Sequence, residues 1–271
     1  MASEIIEKDL YNELYHMVHN PNARGRSPRY KIIGDPAVHP KGVTTIMGQT
    51  LAKDLMQWAV DAALAHIRTK LPVVTEKDLE TAATEYMRLR DKGGNTGSEA
   101  HAMVEKFLKD QAQDAKGSSK EATLAFDAFV EWFEEAKPET LGVEDVIYSK
   151  EFGYAGTYDC MLKVKGKVYL CDLKTTNPSR KAPNGVYAEN FIQLGAYAHA
   201  YDEQRVYEKA NGGTKLVKID DLMVISAKKN GVLDICTASD LGLKVEECSQ
   251  MFKRVMNVYQ FMDYTTKKLG E

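Results

Sequence analysis

Residues 156–174 read GTYDCMLKVKGKVYLCDLK, from Gly156 to Lys174. Apolar and polar residues alternate on both sides of Lys165-Gly166-Lys167, which predicts two strands joined by a tight turn. With Lys165 and Gly166 as a two-residue turn, Val164 faces Lys167, and counting outward Asp159 faces Asp172. Side chains directly opposed on a hairpin lie about 5 Å apart. Two bare carboxylates at that distance repel each other, so the pairing needs a reason. A shared Mg²⁺ or Mn²⁺, which prefers hard oxygen ligands, supplies one. Lys174 lies two residues past Asp172 and projects from the same face. A turn longer by two residues pairs Asp159 with Lys174 instead and keeps all three on one face. A three-residue turn with a bulge breaks the relationship.

Asp172 sits among Leu170, Cys171 and Leu173, in a strand that reads as buried, where an unpaired carboxylate costs several kcal/mol. Ligation of a metal is one answer to that cost. A structural ion pair with Lys174 is the other.

Working outward, Thr176 to Gly185 is a loop with two prolines. A helix from about Tyr187 to Lys209 carries Gln193 and Tyr197, four apart and so on one face. Strands at Leu222–Ala227 and Val232–Thr237 flank Lys228-Lys-Asn230-Gly231, a hairpin turn signal. An amphipathic helix from Leu241 to Lys268 closes the chain. Upstream, a strand is expected at Val143–Glu151 and a helix at Lys120–Ala136. A helix carrying His101 and Glu105 runs to about Ala112, and Asp91 to Gly97 breaks it from a helix capped at Thr75. Thr44 to Lys70 has helical apolar spacing, Asn20 to Gly42 is loop with a short strand at Tyr30–Ile33, and the first 20 residues read as helical.

The expected fold is α/β. A mixed central β-sheet flanked by helices occupies residues 97–271, and residues 1–96 form an N-terminal helical extension placed to wrap a substrate groove. The two parts are expected to form one compact unit.

The 271 residues carry a net charge of −3, so the chain is not a generally basic nucleic-acid binder. Phosphate contacts must come from local patches: Arg24, Arg26, Arg29 and Lys31; Lys163, Lys165 and Lys167; Arg180 and Lys181; Lys228 and Lys229. No apolar run reaches the roughly 18 residues of a membrane span. The acidic N-terminus has no secretory h-region, which points to the cytoplasm. The 4 cysteines lack paired spacing and read as buried thiols. No Gly-Lys-Ser/Thr nucleotide loop is present.

Four short motifs thus occur in order: Gly97-Ser-Glu-Ala-His101, Gly156-x-x-Asp159, Asp172-x-Lys174 and Gln193-x-x-x-Tyr197. Together they resemble the PD-(D/E)xK nuclease superfamily in its RecB-like branch, which includes phage-type and mitochondrial genome maintenance-like exonucleases. The resemblance covers about Gly97 to Asp202, with weaker agreement from Asp221 to Thr237. It implies a restriction-endonuclease-like core. It also implies one or two Mg²⁺ or Mn²⁺ ions held by His101, Asp159, Asp172 and the Leu173 carbonyl, with Glu151 matching a further carboxylate. Lys174 would lie beside the attacking water and the phosphate. Gln193 would order the site, and Tyr197 would touch the substrate backbone or pack beneath the lysine. Arg180, Lys181, Arg24 and Arg26 are the candidate nucleic-acid contacts.

The resemblance implies a metal-dependent DNA exonuclease acting on ends or single strands, in the host cytoplasm if viral, with a homo-oligomer or a recombination protein as possible partner. A nicking or structure-specific endonuclease is the alternative within enzymes, and a catalytically inactive nucleic-acid-binding subunit the alternative outside them. Some RecB-like nucleases hold an iron–sulfur cluster with one early cysteine and a late group of three. Cys160, Cys171, Cys236 and Cys248 do not fit that layout, so no cluster is expected.

Overall fold

A computed structural model describes residues 4–23, 27–34, 37–51, 55–111, 113, 115–177, 182–213 and 215–270. The hairpin forms with the predicted register as far as Cys160↔Cys171, and the expected Asp159–Asp172 pair lies just beyond the ladder. Strand β6 (Tyr154–Val164) and strand β7 (Lys167–Thr176) pair from Val164↔Lys167 to Cys160↔Cys171. Lys165 and Gly166 take φ of 48° and 86°, the left-handed pair that a two-residue hairpin turn requires.

The rest of the sheet grows from this hairpin. Strand β8 (Asp221–Lys228) runs parallel to β7, and β9 (Leu233–Thr237) is antiparallel to β8. Strand β5 (Glu139–Ser149) covers one edge of β6 along nearly its whole length. The short strand β4 (Lys41–Gly42) pairs in parallel with Tyr154–Ala155. Because β5 fills one edge of β6, β4 and β7 must share the other. Between them, Gly156 to Asp159 have no strand on that edge among the described residues. The sheet forks at the Gly-x-x-Asp motif.

Helices cover both faces. On one side lie α5 (Ala188–Ala210) and α6 (Val245–Gly270), packed on Tyr158, Met161 and Leu170. On the other lie α3 (Glu76–Asp110) and α4 (Lys120–Ala136), packed on Cys160, Leu162 and Leu173. Tyr158 and Cys160 are two apart yet face opposite layers, so the alternation of β6 slips by one at Asp159. Across from Asp159, Glu144 in β5 takes a left-handed φ of 49°, while the register shift of β5 against β6 lies further back, between Thr140 and Gly142.

Three expectations need correction. The first 20 residues are not helical: β1 (Ile6–Leu10), β2 (Tyr15–His19) and β3 (Tyr30–Ile33) form an antiparallel sheet. Leu10, Tyr11, Met17, Tyr30 and Ile32 bury against Val146, Tyr148 and Ala155 of the main sheet, and this packing overrides local helical preference. The Asp91–Gly97 break does not occur, and α3 runs through it for 35 residues. The helix expected over Thr44–Lys70 is divided into α1 (Val43–Thr50) and α2 (Met56–Arg68). Thr75 and Asp78 do form the expected capping box of α3. Helices α2 and α3 pack together, with Trp58 edge-on to Tyr86 at 6.4 Å.

Gly195 lets α6 approach α5 closely. A Cβ there would lie 2.3 Å from the Cys248 carbonyl carbon. All four cysteines are free and buried. Among the described residues no helix is long and apolar enough to cross a membrane.

Candidate active site

The fork in the sheet opens into a cleft of about 1010 Å³. One wall is the cleft-facing side of α3, and the other is the N-terminal sheet with Arg29 and Tyr30. Asp159 reaches sideways across the fork, and its Oδ2 accepts the Leu173 N–H at 2.6 Å. Its Oδ1 lies 3.7 Å from Nδ1 of His101, which α3 directs into the same cleft. Glu144 joins them from β5. One ligand atom each from His101, Glu144 and Asp159 lie within 4.8 Å of one another. Burial, then the charges of Asp159 and Glu105, push the Glu144 carboxyl up to about 8, against the pull of Lys109.

Asp172 and Lys174 stand beside this group. Asp172 is 2% exposed, and its Oδ1 accepts Lys174 Nζ at 2.6 Å. Its other oxygen, Oδ2, is buried without a hydrogen-bond partner among the described residues. Burial pushes the Asp172 carboxyl up to about 6, although Lys174 pulls the other way. Burial opposes the charge on Lys174 too, but Asp172 and Asp159 overcome it and hold the ammonium above its usual range.

Below them, Gln193 Nε2 donates to the Tyr197 hydroxyl at 2.9 Å. Tyr197 is buried, with its ring over Gly156: a Cβ on Gly156 would lie 2.5 Å from Cε1. Thr157 ties the N-terminal sheet to this floor through Tyr30 Oη at 3.2 Å and His19 Nδ1 at 3.4 Å.

This donor set fits a divalent ion. Two crowded carboxylates, one imidazole and a buried carboxylate oxygen without a hydrogen-bond partner among the described residues are the hard oxygen and nitrogen donors such an ion takes.

A family model described as the PD-(D/E)XK nuclease superfamily matches residues 59–265, more than half of the chain. The chain belongs to the PD-(D/E)XK nuclease superfamily. Nucleases of this superfamily use divalent metal ions, and the acidic groups here could hold one. No curated protein matches the chain. Among solved structures, an alkaline exonuclease from Laribacter hongkongensis is 10% identical, with 85% of this chain and 94% of that chain covered and a TM-score of 0.30. The same exonuclease in complex with dAMP is 12% identical, with the same coverage and a TM-score of 0.26. At such scores the membership rests on the family model.

The cleft of this nuclease gathers His101, Asp159, Asp172, Lys174, Gln193 and Tyr197. Leu173 turns its side chain into the α3–α4 layer, and its N–H meets Asp159. A strand residue presents its carbonyl on the same edge as its N–H, so the Leu173 carbonyl points to the fork. Glu105 lines the cleft but pairs with Lys109 at 2.6 Å.

Glu151 does not belong to this cleft. It sits in the turn after β5, its Oε2 3.4 Å from His199 Nε2, and its N–H donates to Glu203. Glu203 also accepts from Ser149, so both its oxygens are engaged in clamping that turn onto α5. The resemblance pointed to Glu151 as the further carboxylate, and the structure places it outside the cleft. Glu144, which the sequence reading missed, occupies the cleft. Its signal was weak, because β5 carries Glu139 and Asp145 as well. Arg24, Arg26, Arg180 and Lys181 lie outside the described residues.

Proposed function

We propose that this nuclease is a divalent-metal-dependent deoxyribonuclease that degrades DNA from ends or along single strands. The observation that carries the reading is the meeting of His101, Glu144 and Asp159 in one cleft, with the Asp172–Lys174 pair beside them. His101, Glu144, Asp159, Asp172 and the Leu173 carbonyl would hold Mg²⁺ or Mn²⁺. The imidazole tilts the preference slightly toward Mn²⁺. A bound ion supplies Lewis acidity toward the scissile phosphate and lowers the pKa of its water.

The chain's own residues do the rest. The Leu173 N–H fixes Asp159, and the Lys174 ion pair fixes Asp172, so the oxygens are set before substrate arrives. Lys174 stays charged in a largely buried setting, where it stabilises negative charge developing on the phosphate. In-line attack by water expels the 3′-oxygen and leaves a 5′-phosphate, with no covalent intermediate. Gln193 and Tyr197 support the floor of the cleft. Walls on both sides, α3 and the N-terminal sheet, give a groove for a nucleic-acid strand.

The test is digestion of 5′- and 3′-labelled single- and double-stranded DNA, with a covalently closed circle as control. Mg²⁺ or Mn²⁺ should support stepwise shortening of linear DNA, and EDTA should abolish it. Cutting of the closed circle favours the endonuclease alternative. Robust cleavage in excess EDTA removes the metal mechanism, and no cleavage with either metal favours an inactive binding subunit.

A further inference from the structure

Three glycines, Gly93, Gly94 and Gly97, lie inside α3, where glycine is among the poorest helix formers. Among the described residues nothing demands them at two of these positions: a Cβ on Gly94 or Gly97 would meet no atom within 4 Å. Both line the cleft, on the helix face that also carries His101 and Lys106. At 1.5 Å per residue, Gly97 and Gly94 lie about 6 Å and 10 Å along the axis from His101. Gly93 does not line the cleft, and a Cβ there would approach Lys229 Nζ at 3.8 Å. Asp172 lines the same cleft at 2% exposure, and its buried Oδ2 has no hydrogen-bond partner among the described residues.

We infer that Gly94 and Gly97 hold open the path of the substrate strand beside the reacting centre, so that its sugar–phosphate backbone runs against the bare backbone of α3. This rests on the nucleic-acid reading above and adds the strand's course through the cleft. A Cβ at either position costs the free protein nothing, and it takes space only from something bound. The glycines are positioning residues, because they set where the strand lies while the carboxylates act on it. The pattern also explains why the helix tolerates residues that locally argue for a break.

The experiment uses Gly94→Ala, Gly97→Ala and Gly97→Leu, with Gly93→Ala as control. Leucine is a good helix former, so it narrows the path without weakening α3. All should keep or raise Tm, by about 2–4 °C for each alanine. Binding of a fluorescein-labelled single-stranded oligonucleotide is read by anisotropy without divalent ion, so the readout does not depend on cleavage. Cleavage rates give KM and kcat. Gly97→Leu should raise Kd and KM about tenfold or more with kcat changed less, the alanines should act in the same direction, and Gly93→Ala should change neither. Unchanged Kd in all cleft variants overturns the inference, as does an equal loss in Gly93→Ala, which marks bending of α3 as the cause. Wild-type binding without cleavage would defeat the proposed reaction and still let the glycines be judged.

Discussion

The Leu173 N–H donates to Asp159 Oδ2 across 2.6 Å, so a side chain of β6 takes over where the β6–β7 ladder stops at Cys160↔Cys171. One carboxylate thus serves both the sheet and the proposed metal. Asp159→Ala should lose cleavage by at least roughly a hundredfold, the scale of one preorganised charged group. It should also lose about 1–3 kcal/mol of stability, because the Leu173 N–H is left without its partner. Asp159→Asn keeps an oxygen acceptor and should hold most of that stability while losing the activity. Urea unfolding and cleavage rates separate the two effects, and near-normal cleavage by Asp159→Asn removes Asp159 from the metal site.

Asp172 is buried and its partner Lys174 partly so, and breaking such a pair is costlier than replacing it. Lys174→Ala should destabilise the protein by about 3–5 kcal/mol by stranding Asp172. Asp172→Asn with Lys174→Met should recover much of that loss. Neither should recover cleavage, and a double variant that cuts DNA would reduce the pair to a structural role. Lys174→Ala should leave metal affinity close to normal, whereas Asp159→Ala should weaken it, which isothermal titration with Mn²⁺ can read.

The hairpin register, its turn and the four-motif order were legible because they depend on local alternation and on residues close in sequence. Glu144 was not, because its place in the cleft depends on its own left-handed backbone conformation, opposite the slip of β6 at Asp159. No spacing rule carries such a conformation. The N-terminal strands were hidden for a related reason: Leu10, Tyr11 and Met17 gain their core only from Val146 and Tyr148, more than a hundred residues away. Gly94 and Gly97 misled in the opposite direction. They argue locally for a break, yet α3 runs on, secured by Met103, Val104 and Phe107 against the sheet.

The fit of Tyr197 over Gly156 makes a sharp test of the floor. A Cβ at Gly156 would sit 2.5 Å from Cε1 and 2.9 Å from Cδ1 of a buried ring that Gln193 also holds. Gly156→Ala should destabilise the protein by about 1–3 kcal/mol, as overpacked cores do. The same change should lower cleavage, because Thr157 and Asp159 follow on the strand that must shift. Tyr197→Ala removes the clash, so the two substitutions should couple by about 0.5 kcal/mol or more in a double-mutant cycle. Simple additivity would show that the ring moves aside freely.

Glu144 should make the metal-free protein sensitive to pH in an unusual sense. Its carboxyl titrates at about 8 in the folded state, against about 4.3 in an unfolded chain. Between these values the folded state binds more protons, so stability falls as pH rises through that window and the loss is complete above about 8. In the proposed site a metal needs the carboxylate and would relieve its repulsion from Asp159, so ion and proton would compete for one site. The rise in Tm on adding Mn²⁺ should therefore be larger at pH 8.5 than at pH 6. Glu144→Gln should raise the Tm of the metal-free protein at pH 8.5, flatten its pH dependence and shrink the Mn²⁺ response. Thermal unfolding with and without Mn²⁺ across this range reads all three, and a Mn²⁺ shift that is equal at both pH values would take Glu144 out of the metal site.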